Sequence, residues 1–225
     1  MWQAVVFDLD DTLYPERDYV LSGFRAVADW SAAHLQIPAE IGYSSLCQLY
    51  EAGIRGDTFD CWLSLQGKDK GLVPTLVELY REHEPRIRLF PEVPVLLREL
   101  RQRFSLGLLS DGYLSVQRKK IAVLGLATCF DAVMFTDQLG REYWKPSCKP
   151  FELMLRQLDV READKAIYVA DNPLKDFLGA KEVGMQTVRI RRSGGEYTHL
   201  EAPSLAHSPD RSINDLAELP ELLER

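Results

Sequence analysis

The chain of 225 residues is 46% hydrophobic and 27% charged, which suits one large globular domain or a core with an insertion. No apolar run approaches the length of a membrane span, and the first three residues lack the basic start of a signal peptide. A net charge of −7 argues against non-specific nucleic-acid binding, and four cysteines without a CxxC pair indicate reduced thiols. We therefore expect a cytoplasmic protein, monomeric or homodimeric, that binds neither membranes nor nucleic acids.

Five short apolar segments predict the strands of a parallel sheet. The first, residues 2–7, is β-branched and ends abruptly at Asp8, as a strand buried on both faces does. The later four are Leu106–Ser110, Ala132–Thr136, Ala166–Asp171 and Thr187–Ile190. Helical patterns and turn signals separate most of them, which is typical of βαβ units. The sequence therefore predicts an α/β fold.

The spacing of the first two strands is anomalous. Roughly a hundred residues separate them, whereas a βαβ crossover needs only a few tens. Between Arg17 and about Arg86 apolar residues recur with helical spacing, so we expect about four inserted helices. Breaks in this pattern fall at Ile37–Pro38, Gly53–Asp57 and Gly67–Gly71. The expected domains are an α/β core of residues 1–15 and 89–225 and a helical domain of residues 16–88.

Three further segments complete the chain. A helix over Val95–Arg103 is expected to lead into the second strand. After the last strand, Ser193–Asp210 is rich in Gly, Ser, Pro and His and is predicted as a loop. A short helix over Ile213–Leu223 is expected to end the fold.

The first strand is followed by the sequence Asp8-Leu9-Asp10-Asp11-Thr12. Ligands of open parallel sheets bind at this edge, and alternation places Asp8 and Asp10 on the same side. Two adjacent carboxylates are electrostatically costly unless a cation or a proton lies between them. A turn or helix-capping acidic cluster is the alternative interpretation.

Other strands bring polar groups to the same edge. One ends at Ser110-Asp111-Gly112, another is followed by Lys145-Pro146, and a third ends at Asp171, with Asp176 five residues later. Each residue alone could be a cap, a turn or a solvated charge. Their common position after strands favours one site.

In these motifs the sequence resembles a haloacid dehalogenase superfamily hydrolase of the phosphatase branch. It has the DxDxT, Ser, Lys and DxxxxD motifs of that family in order, spread over nearly the whole chain. The resemblance implies a Rossmann-like parallel sheet with a helical cap domain inserted just after the first motif, where the long gap falls.

The resemblance assigns chemistry to four aspartates. Asp8 would be the nucleophile that attacks a phosphate monoester to give an aspartyl phosphate. Asp10 would be the general acid to the leaving group and then the general base to water. The Asp8 side chain, the Asp10 carbonyl and Asp171 would bind Mg²⁺, with Asp176 helping through water or by orienting its neighbours.

The resemblance also implies a phosphate-binding set, which comprises Thr12, Ser110, Asp111 and Lys145. Ser110 and the amide after it would donate to phosphoryl oxygens, Lys145 would add positive charge, and Thr12 would orient the first loop. Lys145 is preferred to Lys149 because its spacing to Phe151 matches the KPxPxxF pattern, although Cys148 stands where the second proline is usual. Asp111 replaces a common Asn, and an acidic side chain beside phosphate is repulsive unless it turns away or binds a positive group.

The expected function is Mg²⁺-dependent hydrolysis of a small phosphorylated metabolite, such as a sugar phosphate or a nucleotide. Dehalogenases of this family lack the second aspartate, and a phosphonatase would need a Schiff-base lysine in the cap, where only Lys68 and Lys70 occur, in a polar turn. A sugar phosphomutase and a non-catalytic binding or regulatory protein stay open. Arg17 and Arg55 are the candidate substrate contacts from the helical domain, and a solvated surface charge is the alternative for each.

Overall fold

The computed structural model describes residues 1–224, which form two compact units. The first contains Met1–Glu16 and the chain from Ile87 onward, and the second contains Arg17–Arg86. In the part of the chain described, no helix is both long and apolar enough to cross a membrane.

The first unit is built on a parallel sheet of six strands in the order β3-β2-β1-β4-β5-β6. The strands are β1 Ala4–Phe7, β2 Ser105–Ser110, β3 Ala132–Phe135, β4 Ala166–Ala170, β5 Gln186–Ile190 and β6 Arg211–Ile213. The helices of this unit are α5 Val93–Leu100, α6 Leu114–Val123, α7 Lys149–Gln157, α8 Phe177–Glu182 and α9 Leu219–Glu224. All four residues of β1 are fully buried, as their uninterrupted apolar run requires. The predicted α/β fold with a parallel sheet is confirmed.

The sheet has one strand that the sequence analysis missed. Residues Arg211–Ile213 pair with β5, and Ile213 is 4% exposed, so the predicted helix over Ile213–Leu223 is wrong at its start. A short 3₁₀ turn, Leu216–Glu218, precedes α9. Two polar residues followed by one apolar residue carry no strand signal of their own, and the edge of β5 supplies the pairing.

The helix before β2 also differs from its prediction. It covers Val93–Leu100 rather than Val95–Arg103. Pro94 lies in the first turn of this helix, where backbone N–H groups have no partner within the helix, so a proline is tolerated there. The prediction treated Pro94 as the residue before the helix and therefore placed the start of the helix too late.

The second unit consists of helices. They are α1 Glu16–His34, whose first residue belongs to the first unit, α2 Ala39–Glu51, α3 Thr58–Leu65 and α4 Val73–Glu82. Trp62, Leu46, Leu63 and Leu76 are fully buried at its centre. The apolar periodicity therefore predicted the helices of this segment, and the breaks at proline and glycine fall between them.

Candidate active site

The parallel register brings the ends of three strands to one edge of the sheet. In β1, Phe7 is level with Leu108 of β2 and Val169 of β4. The backbone N–H of Asp8 continues the ladder by donating to the carbonyl of Val169 at 2.9 Å. Residues that follow β1, β2 and β4 therefore meet, because their strands are neighbours and end together.

Three buried carboxylates lie together at this edge. Each of Asp8, Asp171 and Asp176 offers an oxygen within 4.8 Å of the others. Burial, and next the repulsion of Asp176, raises the pKa of Asp171 well above its ordinary value. Burial also raises the pKa of Asp8 to about 6, although the Lys145 ammonium opposes it. The charges of these carboxylates repel one another, so the cluster favours the binding of a cation that neutralises them.

Lys145 is the cation inside this cluster. Its Nζ donates to Asp8 Oδ1 at 2.9 Å and to the Tyr168 hydroxyl at 2.9 Å. It also lies 2.8 Å from Asp176 Oδ1, and its side chain is 0% exposed. Lys149, the reserve candidate, pairs instead with Glu152, and both side chains are partly exposed.

The donor set suits a hard divalent cation. Three carboxylate groups offer oxygen ligands, and Lys145 supplies only one positive charge to them. Magnesium and calcium prefer such oxygen ligands. The cluster can hold a metal ion, and the Asp176 carboxylate is oriented for this by accepting the Asn172 N–H at 2.8 Å.

Asp10 directs its carboxylate away from that cluster. Its Oδ1 accepts a bond from Lys120 Nζ at 2.6 Å and another from the Tyr14 hydroxyl, and Gln117 Nε2 donates to Oδ2 at 3.3 Å. Burial raises the pKa of Asp10, but the Lys120 ammonium outweighs this and holds it below its usual range. A lysine from α6 therefore neutralises Asp10, whereas the sequence predicted a cation or a proton between Asp8 and Asp10.

Asp11 joins two loops of the first unit. Its backbone has a φ of 49°, and its carboxylate accepts N–H bonds from Glu16 at 2.8 Å and Glu196 at 2.7 Å. Arg192 donates to the carbonyl of Thr12 at 3.2 Å. The segment after β5, which the sequence analysis predicted as a loop of undecided role, is thus attached to the loop that carries Asp8 and Asp10.

The predicted phosphate-binding residues surround the same edge. The hydroxyls of Ser110 and Thr12 are fully buried, and the Thr12 hydroxyl has no hydrogen-bond partner among residues 1–224. Asp111 is bound on both oxygens: Oδ1 accepts from Thr136 at 2.7 Å and from the Lys145 N–H at 3.3 Å. Its Oδ2 accepts from Lys175 Nζ at 3.2 Å. Asp111 is therefore paired with a positive group, one of the two conditions that the sequence analysis set.

Three charged residues of the site were missed. Lys120 follows two other basic residues on α6 and has the pattern of a solvated charge run, yet it is 3% exposed. Lys175 directly precedes Asp176 inside the DxxxxD motif, and this position was the one available signal that Lys175 belongs to the site. Glu16 begins α1, and burial and next the Asp10 charge raise its pKa to about 8.

The two arginines predicted to contact substrate lie in the helical unit. Arg17 pairs with Glu51, and both side chains are about half exposed. The guanidinium of Arg55 lies 3.7 Å from the ring centroid of Tyr50 and donates to the Tyr50 carbonyl at 2.6 Å. These contacts hold both arginines to their own unit.

Comparison with known proteins assigns the chain to a family. A family model described as haloacid dehalogenase-like hydrolase matches residues 5–190. The chain is 34% identical to a glyceraldehyde 3-phosphate phosphatase of Methanopyrus kandleri, over 97% of this chain and 96% of that protein. The chain belongs to the haloacid dehalogenase-like hydrolase family, as the motifs indicated.

Solved structures of similar proteins agree with this assignment. A HAD phosphatase from Thermococcus onnurineus is 27% identical with a TM-score of 0.64, covering 98% of this chain and 97% of that one. A 2-haloacid dehalogenase from Pseudomonas syringae pv. tomato is 28% identical with a TM-score of 0.67, covering 100% and 99%. The likeness extends over both units of the chain.

Proposed function

We propose that this haloacid dehalogenase-like hydrolase removes phosphate from a small phosphorylated metabolite with Mg²⁺ as its cofactor. One observation carries the proposal: the Asp8 carboxylate, at the end of the central strand, lies in a buried acidic cluster and receives a hydrogen bond from Lys145. A second carboxylate, Asp10, follows two residues later and is held by other partners.

The two carboxylates have separate cationic partners, Lys145 for Asp8 and Lys120 for Asp10. An oxygen of Asp8 attacks phosphorus in line, a new P–O bond forms, and the ester P–O bond breaks. The leaving alkoxide takes a proton from Asp10, which must first take up that proton because the Lys120 ammonium holds its pKa low. Asp10 then accepts a proton from the water that attacks the aspartyl phosphate, which releases inorganic phosphate and restores Asp8.

The acidic cluster would provide the ligands of the metal ion. The side chains of Asp8 and Asp171 and the carbonyl of Asp10 would hold Mg²⁺, with Asp176 acting through water. The bound ion supplies positive charge that offsets the repulsion between carboxylate and phosphate. Ser110, the Asp111 amide and Thr12 would donate to phosphoryl oxygens, and the Thr12 hydroxyl is available for this because it has no partner among residues 1–224.

A small sugar phosphate is the favoured substrate class. Several similar proteins bear such names, among them the phosphatase of Methanopyrus kandleri, and a ribulose-1,5-bisphosphate 5-phosphatase of Halopiger xanaduensis is 28% identical over 99% of this chain. In this proposal the helical unit is the cap domain that selects the substrate, and Arg17 and Arg55 are its candidate contacts for the part of the substrate that is not phosphate.

Phosphate release from a substrate panel tests the proposal. The panel contains glyceraldehyde 3-phosphate, other sugar phosphates, nucleoside monophosphates and phosphoserine, each assayed with Mg²⁺ and with EDTA. We expect turnover of a sugar phosphate that EDTA abolishes and that Asp8→Asn lowers at least a thousandfold. Asp164→Asn, at an exposed turn of the same unit, is the matched control and should keep wild-type activity.

Other outcomes identify the alternatives. Halide release from a 2-haloacid without phosphate release would overturn the proposal in favour of dehalogenation. Interconversion of sugar monophosphates without net phosphate release, followed by ³¹P NMR, would indicate a phosphomutase. Binding of Mg²⁺ and phosphate without turnover of any panel member would indicate a non-catalytic protein.

A further inference from the structure

Lys175 lies inside the DxxxxD motif, in which the resemblance gives a role only to Asp171 and Asp176. It belongs to the turn between β4 and α8, and its ammonium donates to Asp111 Oδ2 after β2 at 3.2 Å. Strand β1 lies between β4 and β2 in the sheet. Neighbouring strands are about 4.8 Å apart, so a side chain that joins the outer two crosses the end of the middle one. The Lys175 ammonium therefore lies across the end of β1, where Asp8 begins the site.

The turn holds Lys175 in this direction. The Asn172 side chain accepts the Leu174 N–H at 2.9 Å, and the Asn172 backbone N–H donates to the Asp176 carboxylate at 2.8 Å. Asp176 in turn contacts Lys145 at 2.8 Å. The backbone that carries Lys175 is thus fixed to the acidic cluster.

The two lysines of the site differ in what they can still bind. An ammonium has three N–H groups, and three oxygens already surround Lys145, whose side chain is 0% exposed. Two of these oxygens accept its hydrogen bonds and the side chain is buried, so an incoming anion has little access to Lys145. The Lys175 ammonium has a single hydrogen-bond partner within residues 1–224, and the side chain is 34% exposed.

Charge favours the same conclusion. A phosphate dianion that approaches Asp8 meets the carboxylates of the acidic cluster, and Lys145 is already occupied by them. The Lys175 ammonium donates to Asp111 alone among the described residues and is partly exposed, so it keeps N–H groups for an incoming anion.

We propose that Lys175 binds the phosphoryl group directly, and that Asp111 aims its ammonium across the end of β1. In this arrangement Lys145 neutralises Asp8 and Asp176 inside the acidic cluster, while Lys175 donates to phosphoryl oxygens from the solvent-exposed side. This inference rests on the proposed function, because it places the phosphoryl group at Asp8. It also gives a role to the acidic side chain of Asp111 beside the phosphate site, because this side chain holds the Lys175 ammonium in place.

Binding of inorganic phosphate in the presence of Mg²⁺, measured by calorimetry, tests the inference. Charge-assisted hydrogen bonds have strengths that correspond to a loss of about 10- to 100-fold in affinity, which we expect for Lys175→Met. Lys175→Arg should recover most of that loss. Lys181→Met is the matched control: Lys181 also pairs with an aspartate, Asp210, at similar exposure but away from the site, and its phosphate affinity should equal that of wild type.

A second comparison separates phosphate binding from a structural ion pair. Lys175→Met is introduced into an Asp111→Asn background, and thermal unfolding verifies that each variant is folded. If Lys175 binds phosphate, the substitution still lowers affinity in the Asp111→Asn background, although by a smaller factor, because the ammonium has lost the carboxylate that aims it. If the lysine only neutralises Asp111, the factor disappears in the Asp111→Asn background, and the inference is overturned.

The same samples distinguish this inference from the proposed function. If Lys175→Met lowers phosphate affinity but the wild type hydrolyses no ester, the inference is supported and the phosphatase proposal is refuted. If the wild type hydrolyses esters but Lys175→Met keeps full phosphate affinity, the phosphatase proposal is supported and the inference is refuted.

Discussion

Gly179 lies where α8 meets the loop that carries Lys145. A Cβ at this position would be 2.5 Å from the Pro146 carbonyl oxygen and 2.6 Å from that of Ser147. Both atoms belong to backbone, so neither can rotate away as a side chain does. Gly179→Ala therefore forces the Lys145 loop or the helix to move.

The size of the movement follows from these distances. Carbon and carbonyl oxygen approach to about 3.3 Å in ordinary contacts, so a gap of 2.5 Å must widen by about 0.8 Å. Overpacking of this kind costs about 1–3 kcal/mol, and the higher helix propensity of alanine offsets up to about 1 kcal/mol of it. A shift approaching 1 Å in a catalytic group lowers turnover by up to about 100-fold.

Activity and stability are measured together on Gly179→Ala. We expect a loss of about 2 kcal/mol or less in the free energy of urea unfolding, and a fall in kcat of about tenfold or more. Gly42→Ala is the control: it lies in α2, and its Cβ would make ordinary contacts of 3.4–3.5 Å with Trp62, Ala28 and Ile37. It should stabilise the protein slightly and leave kcat unchanged. A folded Gly179→Ala variant with wild-type kcat would refute the reasoning.

Three further predictions concern charge. Lys145→Met leaves Asp8 and Asp176 without their cation and should cost about 3–5 kcal/mol in urea unfolding without metal, and a loss below 1 kcal/mol would contradict the buried pairing. The pKa of Glu16 is raised to about 8 in the fold, so the folded state holds its proton longer and stability falls as pH rises from about 4.5 to 8. Glu16→Gln should remove this part of the slope, as unfolding at pH 5 and pH 8 would show, and an unchanged slope would count against it. The pKa values of Asp8 and Asp171 are raised, so protons compete with a metal ion for these carboxylates. Mg²⁺ should therefore raise Tm more at pH 8 than at pH 5.5. Equal shifts in Tm at the two pH values would exclude this cluster as the metal site.

The chain order of apolar segments was sufficient to predict most of the fold. A run such as Ala4–Phe7, fully apolar and followed at once by Asp8, is typical of a strand in a sheet covered on both faces, so it indicated the strand and its end together. The helical periodicity of Arg17–Arg86 likewise identified an insertion. The motif aspartates were found for the same reason, since each directly follows such a run or lies a few residues beyond it.

The tertiary structure decided which charges meet. Lys120 and Asp10 are 110 residues apart in sequence, and Lys175 and Asp111 are 64 apart. No local pattern records such a pairing, because it depends on strand order: β1 between β2 and β4 is what places these side chains within reach. The same holds for β6, whose three residues form a strand only because the edge of β5 offers unpaired backbone groups. The candidate site residues could thus be proposed from the sequence, whereas their partners were set by the packing of the sheet.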